Sequence, residues 1–185
     1  MSALICLAYF TGAGHTARLA AAIAEGITDG QARLIDIRTM SDTDWASLDA
    51  AEAILFGAPT YKGSTAAQSD LFLEDAAERW VTQDWQNNLA GGFTIGAYGL
   101  GDKLSALTRV AIYAAQMGMI WVGQSEIGAQ VDESKPGINR DGGWLGLMAT
   151  SSREKSLLID PPDVETARRF GARVEEVALR WAKGR

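Results

Sequence analysis

The sequence predicts a parallel β-sheet covered by helices on both faces, and three observations carry that reading. Short apolar runs recur at residues 4–10, 32–37, 53–58, 93–98 and 119–123. Segments with helical spacing of apolar residues separate them. The first run also ends at a Thr-Gly-x-Gly-x-Thr turn that opens an amphipathic segment, which is the order strand, turn, helix. At 185 residues the chain has the usual size of one domain, so a single domain over 1–185 is expected, large enough to bury a core without disulfides or metal.

Taken in order, the first run, Leu-Ile-Cys-Leu-Ala-Tyr-Phe, is apolar nearly throughout, as a strand buried on both faces should be. After the turn, Leu19, Ile23 and Ile27 recur every four residues and lay one stripe on the sheet. The second run carries Arg33 and Asp36 and reads as an edge strand, whereas the third, fourth and fifth are central in character. Residues 125–160 are rich in Gly and Ser and show no period. Structureless loops beyond ~15 residues are uncommon in compact domains, so this stretch is expected to be a lid or an interface element. The last helix begins at Asp160-Pro161-Pro162-Asp163, where prolines and acids suit an N-terminus and Glu165 adds to the charge. Ala167, Phe170, Val174, Val177 and Trp181 form its apolar stripe.

Composition removes several classes of function. A single cysteine, Cys6, excludes an internal disulfide, and with one histidine, His15, no metal site is expected. Cys6 lies in an apolar run and reads as an inert thiol. A net charge of -6 with no basic stripe argues against nucleic acid. No run approaches the ~18 apolar residues of a membrane span and no signal segment is evident, so no membrane insertion and a cytoplasmic address are expected. The expected partner is a small molecule or another protein.

In a parallel sheet the loops leaving the carboxyl ends of the strands gather at one edge, where ligands bind. Three such loops are chemically equipped. The first holds Thr11, Gly12, Ala13, Gly14, His15 and Thr16, with hydroxyls and glycines ahead of a helix whose unpaired N–H groups attract anions. Thr11 and Thr16 could simply cap that helix, but the glycines between them favour a phosphate ester. His15 is either a ligand contact or a solvated first-turn residue. The second loop follows the third run with Pro59, Thr60, Tyr61, Lys62, Gly63 and Ser64, supplying a stiff exit, hydroxyls and a flat aromatic face. The third, Ala97, Tyr98, Gly99, Leu100 and Gly101, adds another aromatic and two permissive glycines. A phosphate cradle with aromatic walls suits a planar heteroaromatic ring bearing a phosphorylated side chain, and flavin mononucleotide (FMN) meets that description. No Walker-type motif is present, which disfavours nucleoside triphosphate hydrolysis.

These segments resemble the flavodoxin-like NAD(P)H:quinone oxidoreductases of the tryptophan-repressor-binding-protein group, with flavodoxins as more distant relatives. Tyr-Phe-Thr-Gly-Ala-Gly-His-Thr, Phe-Gly-Ala-Pro-Thr-Tyr-Lys-Gly-Ser and Asp-Leu-Phe-Leu-Glu-Asp carry the likeness. The resemblance implies a five-stranded 2-1-3-4-5 sheet in a three-layer sandwich that binds FMN through all three loops. It further implies electrons passed from NAD(P)H to a quinone or similar small acceptor, a homo-oligomer (dimer or tetramer), and Trp80 near a neighbouring subunit's flavin. The catalysis it implies is flavin-based, with no catalytic side chain.

The chain also departs from that group. Ala13 replaces a larger or hydroxylated residue, and Gln116 and Met117 stand where histidines often precede Gly118. The segment between the second and third strands is short, and Tyr98-Gly99-Leu100-Gly101-Asp102 is more like a flavodoxin's loop. The leading expectation is an FMN-dependent NAD(P)H oxidoreductase. The alternatives are a flavodoxin-type electron-transfer protein and a flavin reductase that uses FMN as a substrate.

Overall fold

The computed structural model describes residues 2–154 and 156–184; Lys155, within the 125–160 stretch, lies outside the described residues. Strands β1 (Leu4–Tyr9), β2 (Gln31–Asp36), β3 (Ala53–Tyr61), β5 (Leu89–Gly96) and β6 (Ile120–Trp121) pair in the order β2-β1-β3-β5-β6, each pairing parallel. Strand β4 (Ser64–Thr65) folds back on β3, and β7 (Leu147–Thr150) runs beside β5. The five-stranded parallel core is the expected 2-1-3-4-5 arrangement. Helices α1 (His15–Glu25) and α6 (Pro161–Lys183) cover one face, while α2 (Asp42–Asp49), α3 (Ala67–Asp75), α4 (Ala77–Thr82) and α5 (Lys103–Gln116) belong to the other side.

Side chains alternate across a strand, and β1 shows the consequence. Ile5 and Leu7 pack with Leu19, Ile23, Phe170 and Val174, while Cys6 and Ala8 pack with Phe56, Phe72, Trp85 and Val110. Burial pushes the Cys6 thiol up to about 12, so this sulfur is an inert core atom. Strand β2 is exposed along much of its length, as the edge reading requires.

The fourth and fifth strands differ from expectation, and β3 runs three residues past the expected 53–58. The fourth run begins at Leu89 rather than at residue 93, because Gly91 and Gly92 resemble a turn in sequence but are paired with Leu55 and Phe56. The fifth expected strand, 119–123, keeps only Ile120 and Trp121. Val122 still donates to the Ala90 carbonyl at 2.7 Å, and the chain then leaves the sheet. It returns at Leu147, which pairs with Phe93. The stretch expected as a lid or interface element therefore contributes β7, so that one sheet edge is built from two short pieces. The excursion between them is held down by Arg173, which donates to the Gly123 carbonyl at 2.8 Å, and by Trp121, which donates to the Leu145 carbonyl at 2.7 Å.

Helix α2 is tied to the edge strand by a charge that sets a pH dependence. Ser41 and Asp44 form a reciprocal capping box, and Arg33 of β2 donates to Asp44 at 2.8 Å. The Arg33 hydrogen bond first, then those from Ser41, hold the Asp44 carboxyl down to about 2, against the ordinary 3.8. A depressed carboxyl contributes stability above its unfolded pKa and loses it as pH falls through the folded one. Asp44→Asn is expected to cost about 1 kcal/mol at pH 7 in urea unfolding. That gap should close as pH falls from about 4 to about 2, and a gap unchanged at pH 2 would contradict the assignment. Among the described residues, no helix is long and apolar enough to cross a membrane.

Candidate functional site

At the carboxyl end of β1 the Phe10 N–H donates to the Gly57 carbonyl at 3.0 Å, and the chain then turns into α1. Gly14 occupies the left-handed region, at φ 89°, where a side chain is strained, and this lets the helix open at His15. The Thr11 hydroxyl accepts from the N–H groups of Gly14 at 3.1 Å and Ala17 at 3.4 Å. Thr11 is therefore the internal brace of the turn, which is the capping role. Thr16 lines the cleft, and no hydrogen bond among the described residues uses its hydroxyl. The same holds for the N–H groups of Gly12, Ala13, His15 and Thr16. The turn is a cradle of unpaired donors at the positive end of an eleven-residue helix.

The second loop is tighter than expected. Strand β3 runs on through Thr60 and Tyr61, and β4 returns with Thr60 opposite Thr65 and Tyr61 opposite Ser64. Lys62 and Gly63 form the two-residue turn, both with positive φ (52° and 83°), as a twisted two-residue hairpin demands. Pro59, Thr60 and Tyr61 thus line a cleft of about 270 Å³ together with Thr11, Gly12, Ala13, His15 and Thr16. Lys62, Gly63 and Ser64 do not line it, because the hairpin carries them beyond its rim. The Tyr61 ring reaches over the cradle, since a Cβ on Gly12 would stand 2.6 Å from its hydroxyl. At the cleft floor the Thr60 and Thr94 hydroxyls are 2.8 Å apart and hydrogen-bonded.

From the third loop only Ala97 lines this cleft. Tyr98 is 79% and Leu100 91% exposed; their side chains stand at the surface. Gly99 and Leu100 line a neighbouring groove of about 890 Å³ with Leu104, Asp141, Trp144 and Met148. Gly101, at φ 42°, and Asp102, at φ 57°, make the left-handed bend into α5. Trp80, implied to approach a neighbouring subunit's flavin, stands apart from the chain's own cleft. It borders a depression on α3, α4 and α5, together with Gln116 and Met117, that shares no lining residue with the cleft.

Sequence reasoning missed Ile95, Gly96 and Ser151, which complete the cleft wall, and a polar network behind the third loop. Lys103 is fully buried and donates to Asp141 at 2.5 Å and to the Thr150 hydroxyl at 2.8 Å. Asp163 accepts from the Thr150 N–H and from Arg140, which also binds Asp160. Burial is the largest influence on the Asp163 carboxyl and pushes its pKa up, against the pull of the Thr150 N–H and Arg140. The Ser152 hydrogen bond, then Arg140, hold Asp160 below the usual carboxylate range. One local signal existed: a lysine opening a helix opposes the helix dipole and needs another reason to be there.

The cleft is lined by hydroxyls, unpaired backbone donors, Tyr61 and His15, without a carboxylate, lysine or arginine. Such a surface can bind and orient an anionic, partly aromatic molecule but carries no paired acid and base or activated nucleophile. The Flavodoxin family matches residues 7–139. Flavodoxin FldP of Pseudomonas aeruginosa is 37% identical over 174 residues, covering 91% of this chain and 93% of that protein. An NAD(P)H dehydrogenase (quinone) of Geobacter sulfurreducens is 26% identical, covering 64% of this chain and 70% of its own length. The crystal structure of a flavodoxin, WrbA-like protein from Agrobacterium tumefaciens superposes with a TM-score of 0.78 at 35% identity, covering 97% of this chain and 99% of that one. The chain belongs to the flavodoxin family.

Proposed function

We propose that the cleft binds FMN and that the chain is an electron-transfer flavoprotein. The observation that carries the reading is the cradle: four N–H groups and the Thr16 hydroxyl that have no partner among the described residues, at a helix N-terminus with Tyr61 across it. FMN would supply reversible uptake of electrons, and the protein supplies orientation and electrostatics. Gly12, Ala13, His15 and Thr16 would hold the phosphate through backbone N–H groups and the Thr16 hydroxyl. Pro59, Thr60, Tyr61 and Ala97 would flank the ring. The N–H groups of Tyr98, Gly99, Leu100 and Gly101 also have no partner among the described residues. Fixed dipoles of that kind favour negative charge without a proton donor.

Transfer to and from protein partners is supported by three features. The flavodoxin relative spans nearly the whole chain. The third loop presents Tyr98 and Leu100 as an exposed apolar contact beside the cleft. The net charge of -6 suits steering towards basic partners. A second reading, NAD(P)H oxidation with a quinone or similar acceptor, or with exchangeable FMN as the acceptor, is favoured by the broad groove beside Leu100 and Trp144. That groove offers room for a nicotinamide or quinone ring.

An anaerobic visible spectrum separates these readings. Protein loaded with FMN is expected to stay yellow with NADH or NADPH alone and to bleach once a flavoprotein reductase is added. Bleaching within seconds by NAD(P)H alone would overturn the carrier reading in favour of the enzyme. Protein that takes up no FMN would overturn both.

A further inference from the structure

Lys103 is the first residue of α5, its side chain wholly excluded from solvent. Lysines are almost never buried to this degree unless paired, and here the helix dipole opposes the charge as well. Its ammonium donates to the Asp141 carboxylate at 2.5 Å and to the Thr150 hydroxyl at 2.8 Å; Thr150 in turn donates to Asp141 at 3.0 Å. The three residues come from three places: the helix after the third loop, the excursion between β6 and β7, and β7 itself.

The triad sits directly behind the cleft wall. Thr150 pairs in register with Gly96, and Ser151 donates its N–H to the Gly96 carbonyl at 2.9 Å. Gly96 and Ser151 both line the cleft. A Cβ on Gly96 would lie 3.8 Å from the Cγ and Cε of Lys103, and one on Gly99 would lie 3.3 Å from Asp141 Oδ1. The charge pair therefore meets the chain at Gly96, the last residue of β5, and at Gly99 in the middle of the third loop, and at Gly96 one layer of backbone stands between Lys103 and the cleft. The Lys103 ammonium, wholly excluded from solvent, is weakly screened, whereas Asp141 borders the neighbouring groove and is screened more.

We propose that Lys103 and Asp141 are positioning residues that clasp the third loop and whose opposed charges set the potential at the cleft, Lys103 favouring and Asp141 opposing added negative charge there. This role rests on the FMN reading above. A replacement of the pair by apolar residues is often neutral or stabilising in proteins, so stability alone is a weak reason for burying it. Its position against Gly96 of the cleft wall and Gly99 of the third loop is the stronger one.

The test is a spectroelectrochemical titration of FMN-loaded protein. Lys103→Met removes the cation at similar length and is expected to lower the two-electron potential, through a loss of about tenfold in the reduced-to-oxidised ratio, about 30 mV for two electrons. Asp141→Asn keeps an acceptor for Lys103 while removing the anion, and is expected to raise the potential by a similar factor. The double variant should return close to wild type. A merely structural clasp would move both single variants in the same direction, and that result, or no shift, would overturn the proposal. Should Asp141→Asn alone be too unstable to load, the comparison passes to the double variant against Lys103→Met, where the added Asp141→Asn must raise the potential. A wild type that binds no FMN would overturn the flavin reading and this one with it. A wild type that binds FMN, with variants that fail the sign test, would overturn only the role of the pair.

Discussion

Ala13→Asp is expected to weaken FMN binding about a thousandfold while leaving riboflavin binding and the fold intact. Ala13 is exposed within the cradle turn, so a larger side chain meets no packing there. A carboxylate one residue before the helix N-cap complements the helix dipole and is expected to stabilise the protein without ligand by a few tenths of a kcal/mol. The same charge opposes a phosphate dianion. At about 4 Å and an effective dielectric constant near 20, one pair of like charges costs about 4 kcal/mol, which is roughly three orders of magnitude in affinity. Riboflavin lacks the phosphate and escapes that cost, so the ratio of the two affinities isolates the cradle from the ring contacts. Fluorescence titration of both flavins measures it. Equal losses for FMN and riboflavin would show that the substitution has merely disturbed the loop, and no loss for FMN would remove the phosphate from this corner.

The parts of the molecule that sequence made legible are those whose cause is local. The Thr-Gly-x-Gly-x-Thr turn needs only a left-handed glycine and a hydroxyl three residues ahead of it, and both are contiguous in the chain. The unbroken apolar runs of β1 and β3 and the 3.6-residue stripe of α6 carry their meaning wherever they fall. What was hidden depends on distant partners. Nothing local tells that Leu147–Thr150 is a strand, because four residues gain meaning only when β6 has released the upper half of the β5 edge. Lys103 shows the same dependence, its burial being decided by Asp141, 38 positions away. In the second loop the resemblance groups Lys62, Gly63 and Ser64 with Pro59, Thr60 and Tyr61, and only the hairpin pairing separates those that line the cleft from those that do not.

Gly171→Ala is expected to destabilise the protein by about 2 kcal/mol, although helix propensity alone argues the opposite sign. Alanine is favoured over glycine inside a helix by about 1 kcal/mol. In α6, however, a Cβ at this position would stand 2.0 Å from the Ile23 carbonyl oxygen of α1, and one at Gly26 would stand 1.9 Å from the Arg168 carbonyl. Ordinary contact is about 3.5 Å, and a helix carbonyl cannot swing aside as a side chain can, so the two helices must part by roughly 1 Å or more. Parting them loosens Leu19, Ile23, Phe170 and Val174, all without solvent exposure. Overpacking typically costs 1–3 kcal/mol and a backbone obstacle belongs at the upper end of that range, so packing outweighs propensity. Gly184→Ala serves as the control. Its φ is -93° and the nearest atom to the added Cβ is 3.6 Å away, so a change within about 0.5 kcal/mol is expected. Urea unfolding with an unchanged slope measures both. Because α1 carries the cradle at its other end, the displaced helix also re-aims the unpaired N–H groups, and FMN affinity should fall about tenfold with Gly171→Ala and remain unchanged with Gly184→Ala. A stabilised Gly171→Ala protein would mean that the α1 and α6 backbones do not meet this closely, and the link from core packing to the binding turn would fail with it.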